Sequence, residues 1–413
     1  MSKMRLLKQL RLPIAAGIVL FVCAAPDAAR AQQWEFEPIV RVGGEYDDNA
    51  TLSIRTDDEV ELTGLLADLR AVARYSSATT TFDVQPRVVL REYDADRDVA
   101  QDFDAEDVFL RSTLRHRGRS ITAGFRAFYD QQKVRTAERA ISDLDIDDPD
   151  DVTEDDTARV VLSGTRDKIR LVPYLSYDLS AVTTIGADFV FSDVQYDDVI
   201  AGSLSDYTDT RLNLKFRRKM SDRTASLLTV TGRTFSPEGG AAADINGYGI
   251  QAGFERELSA TTRVTALAGL EDADGSDSSQ SPEFVSTVTL QRNLETIAMF
   301  ARYRRSINAS GAGALSVRDT LNLNFRRRLS EKVSAGLGVR TYRQRGKEDA
   351  QNVNDRDYIQ LQSNVQWYLA PSLVAEMSYR YTVSDRSEAI GERSNSNQVN
   401  LWFIYQPRTT PKL

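Results

Sequence analysis

Residues 316–346 read SVRDTLNLNFRRRLSEKVSAGLGVRTYRQRG. In the first half, apolar Leu321, Leu323 and Phe325 alternate with asparagine and arginine. An alternation with a period of two predicts an extended strand with one apolar and one polar face. The polar run Arg326–Lys332 interrupts this pattern, and a second alternating stretch follows it. The segment therefore predicts a β-hairpin with a short turn.

The same hairpin pattern recurs along the chain. Arg217–Arg223 and Glu255–Thr261 resemble the turn at Arg326–Lys332, Tyr368–Leu373 is a looser copy, and a pair near 282–307 lacks the marker. The copies lie about 36 residues apart or twice that, which is typical of one repeated supersecondary unit. Longer acidic loops rich in Asp, Ser and Gly separate the hairpins, namely Asp94–Asp104, Lys133–Thr157, Asp197–Asp206, Glu271–Pro282 and Lys347–Asp355.

Short turns at one end and long loops at the other predict an all-β fold. They are typical of a transmembrane, antiparallel, up-and-down β-barrel whose turns face the periplasm and whose acidic loops face outside. We expect about 18 strands, with 16 as the alternative, because Asp156–Lys168 fits either a strand or a loop. A soluble propeller or sandwich would alternate too. The export segment, the asymmetric loops and the terminal strand favour the barrel.

Residues 1–31 have the features of a cleaved signal peptide. Basic residues from Lys3 to Arg11 precede an apolar run, and Ala29-Arg30-Ala31 forms a small-residue cleavage site. The chain's one cysteine, Cys23, lies in this segment, which suits export to an oxidising compartment. We expect residues 32–413 to form a single outer-membrane barrel domain in a Gram-negative bacterium.

Composition excludes several other classes of protein. The 413 residues include one His and one Cys, too few for a zinc finger, an iron–sulfur site or a disulfide framework. The net charge of -8 argues against a nucleic-acid partner. The expected partners are outer-membrane lipids, the barrel-assembly machinery, and polysaccharide or periplasmic export components.

Two local features bear on the strand assignments. The last predicted strand, Gln398–Tyr405, ends in an alternating aromatic pattern that resembles the signal read by the barrel-assembly machinery, although residues 406–413 follow it. Pro86 and Pro173 fall inside predicted strands and lack the N–H that a sheet ladder needs. We expect either β-bulges there or different strand boundaries.

Val40–Asn49 reads VRVGGEYDDN. This opening strand, together with the arginine-rich hairpins, resembles the β-barrel porin type 2 family of proteobacteria over essentially the whole mature chain. The resemblance implies an outer-membrane barrel associated with exopolysaccharide biosynthesis. It brings no catalytic residues and no defined transported solute.

Alternation also predicts which charged residues point into the lumen. Asp68 and Glu376 are among them, but most are basic and could form a pathway for polar or anionic solutes. The structural alternative is a ladder of ion pairs that stiffens the wall. The predicted lumen-lining basic residues are Arg70, Arg74, Arg87, Arg91, Arg111, Arg126, Arg170, Lys215, Arg302, Arg304, Arg340 and Arg380.

Three other features have a functional and a plain interpretation. Asp143, Asp145, Asp147 and Glu154 have the spacing of a calcium loop, but Asp148 replaces its glycine; the alternative is a solvated acidic loop, and no other cofactor is expected. His116 lies beside a predicted turn, and a role in an outer-membrane hydrolase would need Ser or Asp partners. No G-x-S-x-G motif is present, so a rim histidine without a catalytic role is the plain interpretation.

The arginine-rich turns Arg217–Lys219 and Arg326–Arg328 could dock a periplasmic partner or lipid headgroups. The plainer interpretation is a charged turn at the membrane boundary. We therefore predict a non-enzymatic, porin-like outer-membrane channel that exports exopolysaccharide or passes polar and anionic solutes. The alternatives are a structural or adhesive barrel without an open pore, and a general uptake porin.

Overall fold

The computed structural model describes residues 33–97, 103–134, 164–199, 204–238, 244–274, 282–311, 313–346, 356–386 and 393–407. The predicted signal peptide and the predicted calcium loop lie outside these residues, as do most of the long acidic loops.

The described residues form 18 β-strands and one 3-10 turn, Thr56–Asp58. In the first half of the chain the strands are β1 (Gln33–Asp47), β2 (Leu62–Ser76), β3 (Thr80–Ala95), β4 (Ala105–Arg117), β5 (Ile121–Lys133), β6 (Thr165–Asp178), β7 (Thr183–Asp197), β8 (Tyr207–Ser221) and β9 (Thr224–Pro237). In the second half they are β10 (Ile245–Ser259), β11 (Thr262–Asp274), β12 (Glu283–Asn293), β13 (Ile297–Ala309), β14 (Leu315–Arg328), β15 (Val333–Gly346), β16 (Arg356–Ala370), β17 (Leu373–Arg386) and β18 (Arg393–Tyr405). No helix in this part of the chain is long and apolar enough to cross a membrane.

The strands close into one antiparallel barrel. Each strand pairs with its neighbour in sequence, and β1 pairs with both β2 and β18. Closure leaves no free sheet edge, so ladder hydrogen bonds satisfy the backbone all round the wall. The predicted 18 strands are confirmed, since β6 begins at Thr165 within the stretch that the sequence left open.

Both prolines that raised doubt lie inside regular strands, so the expected bulges and boundary shifts are wrong. Pro86 pairs with Leu110 on β4, and Pro173 pairs with Phe125 on β5. On the opposite edge of each strand, towards β2 for Pro86 and towards β7 for Pro173, the strand pairing is missing at two positions. It then resumes in the same register. A strand tolerates the missing N–H because only one of its two ladders loses the bond.

The outer surface of the barrel is apolar. Leu65 is 71% exposed, and exposed leucine, valine, isoleucine and phenylalanine side chains recur on the same face of the other strands. Aromatic side chains such as Trp34, Tyr248 and Tyr405 are exposed near strand ends, where aromatic girdles meet the membrane–water interface. A soluble propeller or sandwich would bury these faces, so the structure excludes that alternative.

The Asp-Asp-Asn motif of the opening strand joins β1 to β18 at the extracellular end. Asp48 accepts hydrogen bonds from the backbone N–H of Asn397 at 2.6 Å and from its Nδ2 at 2.7 Å. Ser396 donates to Asp47 at 2.8 Å, and Asn49 donates to the carbonyl of Asn395 at 2.9 Å. We call Asp47, Asp48 and Asn49 with their β18 partners the seam clasp. It holds together the two ends of the sheet.

Candidate functional site in the barrel lumen

The strand register places every basic residue predicted to line the lumen on the inward face. Arg87 reaches Asp68 with Nε at 2.9 Å and a terminal nitrogen at 3.0 Å, across β2 and β3. Arg41 on β1 lies 3.6 Å from Asp68 and 3.2 Å from Glu376 on β17. The neighbours Leu65 and Leu69 project outward and are exposed. By the same parity the inward set includes Arg70, Arg74, Arg87, Arg91, Arg111, Arg126, Arg170, Lys215, Arg302, Arg304, Arg340 and Arg380.

One part of this inner surface, the inward faces of β2–β11, pairs its basic groups with acids. We call it the carboxylate wall. Arg166 contacts Asp130 at 2.8 Å, and Arg233 contacts Asp209 at 2.7 Å. Arg91 contacts Asp107 in the same way. Its inward acids include Asp68, Asp83, Asp107, Asp130, Asp188, Asp209, Glu255, Glu257 and Glu271.

The inward faces of β13–β18 carry a different set of groups, and we call them the arginine wall. On these six described strands Glu376 is the one inward carboxylate. Arg380 donates to Gln398 at 2.7 Å, and Arg356 donates to Ser384 at 2.9 Å. The inward arginines of this wall are Arg302, Arg304, Arg318, Arg326, Arg328, Arg340, Arg356, Arg380 and Arg386.

The extracellular ends of β13 and β14 bend into the lumen. We call residues 306–311 and 313–317 the inner hairpin. Arg233 on β9 donates to the carbonyl of Ile307 at 2.9 Å, and the backbone N–H of Ser205 donates to the carbonyl of Gly311 at 2.7 Å. Both contacts join the hairpin to segments that do not neighbour it in the sheet, so the hairpin leans into the lumen.

The inner hairpin buries its apolar face against the carboxylate wall. Ile307, Ala309, Leu315 and Val317 belong to one buried cluster with side chains of β7–β12. The members contributed by the wall and the adjoining loops are Val134, Val194, Tyr196, Leu204, Tyr207, Phe235, Ile245, Ala273 and Val285. This burial of apolar surface stabilises the hairpin inside a lumen that is otherwise polar.

The loop that meets the hairpin tip is itself ordered by polar contacts. Asp206 accepts a hydrogen bond from the backbone N–H of Tyr196 at 2.8 Å. Burial in this loop raises the pKa of the Asp206 carboxyl. The contact holds the loop beside Gly311, where a side chain on the glycine would meet the Tyr196 ring.

A small polar cleft lies between β13, β14 and β15. Its lining includes Arg302, Arg304, Arg318 and Arg340. We call it the arginine cleft. Hydroxyl and amide side chains complete the lining, namely Ser306, Asn308, Thr320 and Asn322. Among the described residues that line the cleft none is acidic.

Solvent access differs between the two ends of the lumen. Near the inner hairpin, Arg340 and Gln360 are buried, whereas Arg126 and Lys215 near the short turns are exposed. The lumen is therefore narrow towards the extracellular end and wide towards the periplasmic turns. An 18-stranded wall is wide enough for an aqueous channel when nothing fills it.

The remaining candidates lie outside the lumen or outside the described residues. The predicted calcium ligands Asp143, Asp145, Asp147 and Glu154 belong to the undescribed stretch 135–163, and no group of three or more metal-ligating side chains occurs in the described part. His116 lies on the outward face at the end of β4, with Nδ1 2.9 Å from the Thr80 hydroxyl. At the arginine-rich turns, Arg217 contacts Glu255 at 2.9 Å.

Sequence reasoning missed two groups of functional interest. Arg318 and Arg356 are inward members of the arginine wall, and the alternation of Val317, Leu321 and Leu323 already pointed to Arg318. The inner hairpin was predicted only as the tips of two ordinary strands. The apolar residues that flank Ser310 and Gly311 were its one signal in the sequence.

Comparisons with family models and with curated proteins found no match. Solved structures resemble the chain over nearly its full length. OccK5 (OpdH) of Pseudomonas aeruginosa is 9% identical with a TM-score of 0.43, covering 90% of this chain and 98% of that chain. OccAB4 of Acinetobacter baumannii is 10% identical with a TM-score of 0.44, covering 92% and 99%. DcaP of Acinetobacter baumannii, described as an outer membrane channel, is 12% identical with a TM-score of 0.43, covering 93% and 100%.

Because these TM-scores are below 0.5, we assign the class of the protein from its own strand pairing and its exposed apolar outer surface. A closed antiparallel barrel with a lipid-facing apolar exterior is the architecture of bacterial outer-membrane proteins. This confirms the predicted fold class and the outer-membrane location. The narrower resemblance to the β-barrel porin type 2 family stays a prediction.

Proposed function

We propose that this protein is a porin-like outer-membrane channel for polar, anionic solutes. The observation that carries the proposal is the arginine wall, where inward arginines outnumber carboxylates and bind neutral amides and hydroxyls. Rings or clusters of arginine in a pore favour anions over cations. The activity is passage of a solute without any chemical change.

The inner hairpin supports a channel over a purely structural barrel. A wall built only from cross-strand ion pairs would carry acids and bases in similar numbers, whereas the described strands β13–β18 carry nine inward arginines and one inward carboxylate. A hairpin that is folded into the lumen narrows the path, so that a passing solute would contact the wall. Narrowing with low-dielectric walls focuses the electric field on the solute.

Export of an acidic exopolysaccharide is the finer form of this proposal. Its support is the resemblance of Val40–Asn49 and of the hairpin turns to the porin type 2 family, together with the chemistry of the arginine wall. A polysaccharide with uronic acid units presents the carboxylates and hydroxyls that arginine and amide side chains bind. General uptake of small anions uses the same wall in the opposite direction.

Single-channel recording in a planar bilayer tests the proposal. The folded mature barrel, identified by its heat-modifiable migration on a gel, is placed between unequal KCl solutions. We expect stable open steps and a reversal potential with the sign of anion preference. Arg343→Gln removes a charge from the outer face of β15 and should leave the reversal potential unchanged. Folded barrels that show no conductance steps, or a reversal potential with the sign of cation preference, would contradict the proposal.

A further inference from the structure

We propose that four outward-facing arginines at the periplasmic end of the barrel bind the phosphate headgroups of anionic phospholipids in the inner leaflet of the outer membrane. We call Arg218, Arg256, Arg292 and Arg327 the arginine arc. They lie on β8, β10, β12 and β14, one on every second strand. The arc lies outside the lumen, so this inference is independent of the proposed channel.

The first argument is the direction in which these side chains point. On β8, Leu214 and Phe216 are exposed on the lipid-facing side, and Arg218 is the next residue on that side. Its neighbour Arg217 points into the lumen, where it contacts Glu255. All four arginines of the arc are exposed. The other three follow exposed or half-buried apolar residues two positions earlier, namely Phe254, Leu290 and Phe325.

The second argument is that the four arginines lie at one depth in the membrane. Arg256 pairs with Val264 and Val264 pairs with Leu290, and Arg292 lies two residues beyond Leu290 towards the turn. The same two-residue step leads from Arg218 to Arg256 and from Arg292 to Arg327. Neighbouring strands of a closed barrel are tilted and staggered, so a regular step of this kind keeps the side chains level.

The same step continues beyond the arc, and there the side chains are aromatic. It leads from Arg327 to Trp367 on β16 and then to Tyr405 on β18. In the other direction it leads from Arg218 back to Tyr177 on β6. All three aromatic side chains are exposed. Because tryptophan and tyrosine are enriched at membrane–water interfaces, the arginine arc lies at the depth of the lipid headgroups.

The third argument is that the arc offers its charge to a partner outside the chain. Within the part of the chain that the structure describes, none of its four guanidinium groups forms a hydrogen bond or an ion pair. Met220, Leu258 and Leu329 at the adjoining turns are 66%, 52% and 56% exposed. Apolar residues therefore lie on both sides of the guanidinium groups, as expected in the interfacial layer. A guanidinium binds phosphate through two parallel hydrogen bonds.

Charge complementarity favours an anionic lipid over a second copy of the chain. The positions that the two-residue step connects, from Tyr177 on β6 to Tyr405 on β18, are arginine or aromatic, and none of them is acidic. Two copies that met through their arcs would bring like charges together, which is unfavourable. A phospholipid with an anionic headgroup supplies the missing negative charge and an acyl chain for the exposed apolar side chains.

Competition between two lipids on the folded mature barrel tests the arc. The barrel in neutral detergent is mixed with equal amounts of phosphatidylglycerol and phosphatidylcholine that carry the same acyl chains, and native mass spectrometry counts the lipids that stay bound. We expect phosphatidylglycerol to be retained in preference, and added salt to reduce the preference by screening the charges. Equal retention of the two lipids would overturn the proposal.

Variants assign the preference to the arc. Arg256→Gln and Arg292→Gln should each weaken phosphatidylglycerol binding about fivefold, whereas Arg256→Lys and Arg292→Lys should keep most of it. Heat-modifiable migration on a gel checks that each variant folds. Arg343→Gln is the matched control, because it removes the same charge from the outer face near the extracellular end, where Arg343 lies 2.8 Å from Asp357. It should keep the wild-type preference.

Two further outcomes would overturn the proposal. An equal loss of preference in Arg343→Gln would mean that net charge selects the lipid and that the arc does not. A changed oligomeric state in the Arg256→Gln and Arg292→Gln variants, with an unchanged lipid preference, would assign the arc to a contact between copies of the chain.

Discussion

On β8 and β9, Arg211 and Arg233 both contact Asp209, whereas on β14 and β15 Arg318 contacts Gln344. The two walls thus use the same cation with different partners. On the carboxylate wall, neutralised charge allows an apolar cluster to form and the inner hairpin to pack on it. On the arginine wall the described strands carry nine inward arginines and one inward carboxylate, Glu376. The carboxylate wall supports the hairpin, and the arginine wall faces the part of the lumen that the hairpin does not fill.

The largest effect should follow from breaking a buried pair on the carboxylate wall. Asp209→Ala leaves the buried guanidinium of Arg233 without its nearest acid, and should destabilise the barrel by about 3–5 kcal/mol. The temperature at which half of the barrel loses its heat-modifiable migration on a gel, the unfolding midpoint, measures this loss of stability. Glu257→Ala is the matched control, because Glu257 and its partner Arg263 are 48% and 51% exposed, and should cost about 1 kcal/mol or less. Equal losses would show that burial does not distinguish these pairs.

A slightly smaller effect is expected where the hairpin meets that wall. Ile307 is fully buried in the cluster, so Ile307→Ala should cost about 2–5 kcal/mol. Since the loss falls on the docked hairpin, single-channel conductance should rise. Leu323→Ala, on the lipid-facing side of β14, should leave conductance at the wild-type value. An unchanged conductance for Ile307→Ala would mean that the hairpin does not narrow the path.

The junction between β1 and the arginine wall gives an intermediate effect. Asp48→Ala removes two acceptors from Asn397 in the seam clasp, which should cost about 1–3 kcal/mol. The unfolding midpoint measured by heat-modifiable migration on a gel should fall to a lower temperature. Asp385→Ala breaks the exposed contact with Arg393 at 3.4 Å and should change the midpoint little. If the two variants behave alike, the motif has no special role in closure.

The smallest effect on stability should come from the arginine wall itself. Arg380→Gln replaces a hydrogen bond to neutral Gln398 and should cost only about 1 kcal/mol. The same change should move the reversal potential towards zero, because a charge facing the path is lost. A large loss of stability with unchanged selectivity would show that this wall, too, is a structural network.

Much of this architecture was predictable because the barrel repeats a simple rule. The alternation of Leu321, Leu323 and Phe325 with asparagine and arginine defines two faces, and the inward parity of Arg302, Arg340 and Arg380 follows from it. Each prediction needed only neighbouring residues. Pro86 and Pro173 misled because a proline affects one ladder of a strand, and sequence alone does not tell which ladder tolerates the loss.

The candidate site was only half visible in the sequence. The arginines of the cleft could be assigned to the lumen singly, but their meeting in one cleft depends on the bend of β13 and β14. Likewise, Asp68 and Arg87 lie on adjacent strands, whereas Arg41 and Glu376 meet only because β1 closes onto β18.

The sequence by itself determined the strands, their turns, the apolar exterior and the parity of each charged side chain, because these depend on a local period of two. The tertiary structure alone decided that the hairpin of residues 306–311 and 313–317 enters the lumen, and which inward arginines and carboxylates lie close enough to pair. Those outcomes depend on contacts between strands far apart around the ring, such as Arg233 with the carbonyl of Ile307. A local sequence pattern does not determine contacts between distant strands, so it cannot predict them.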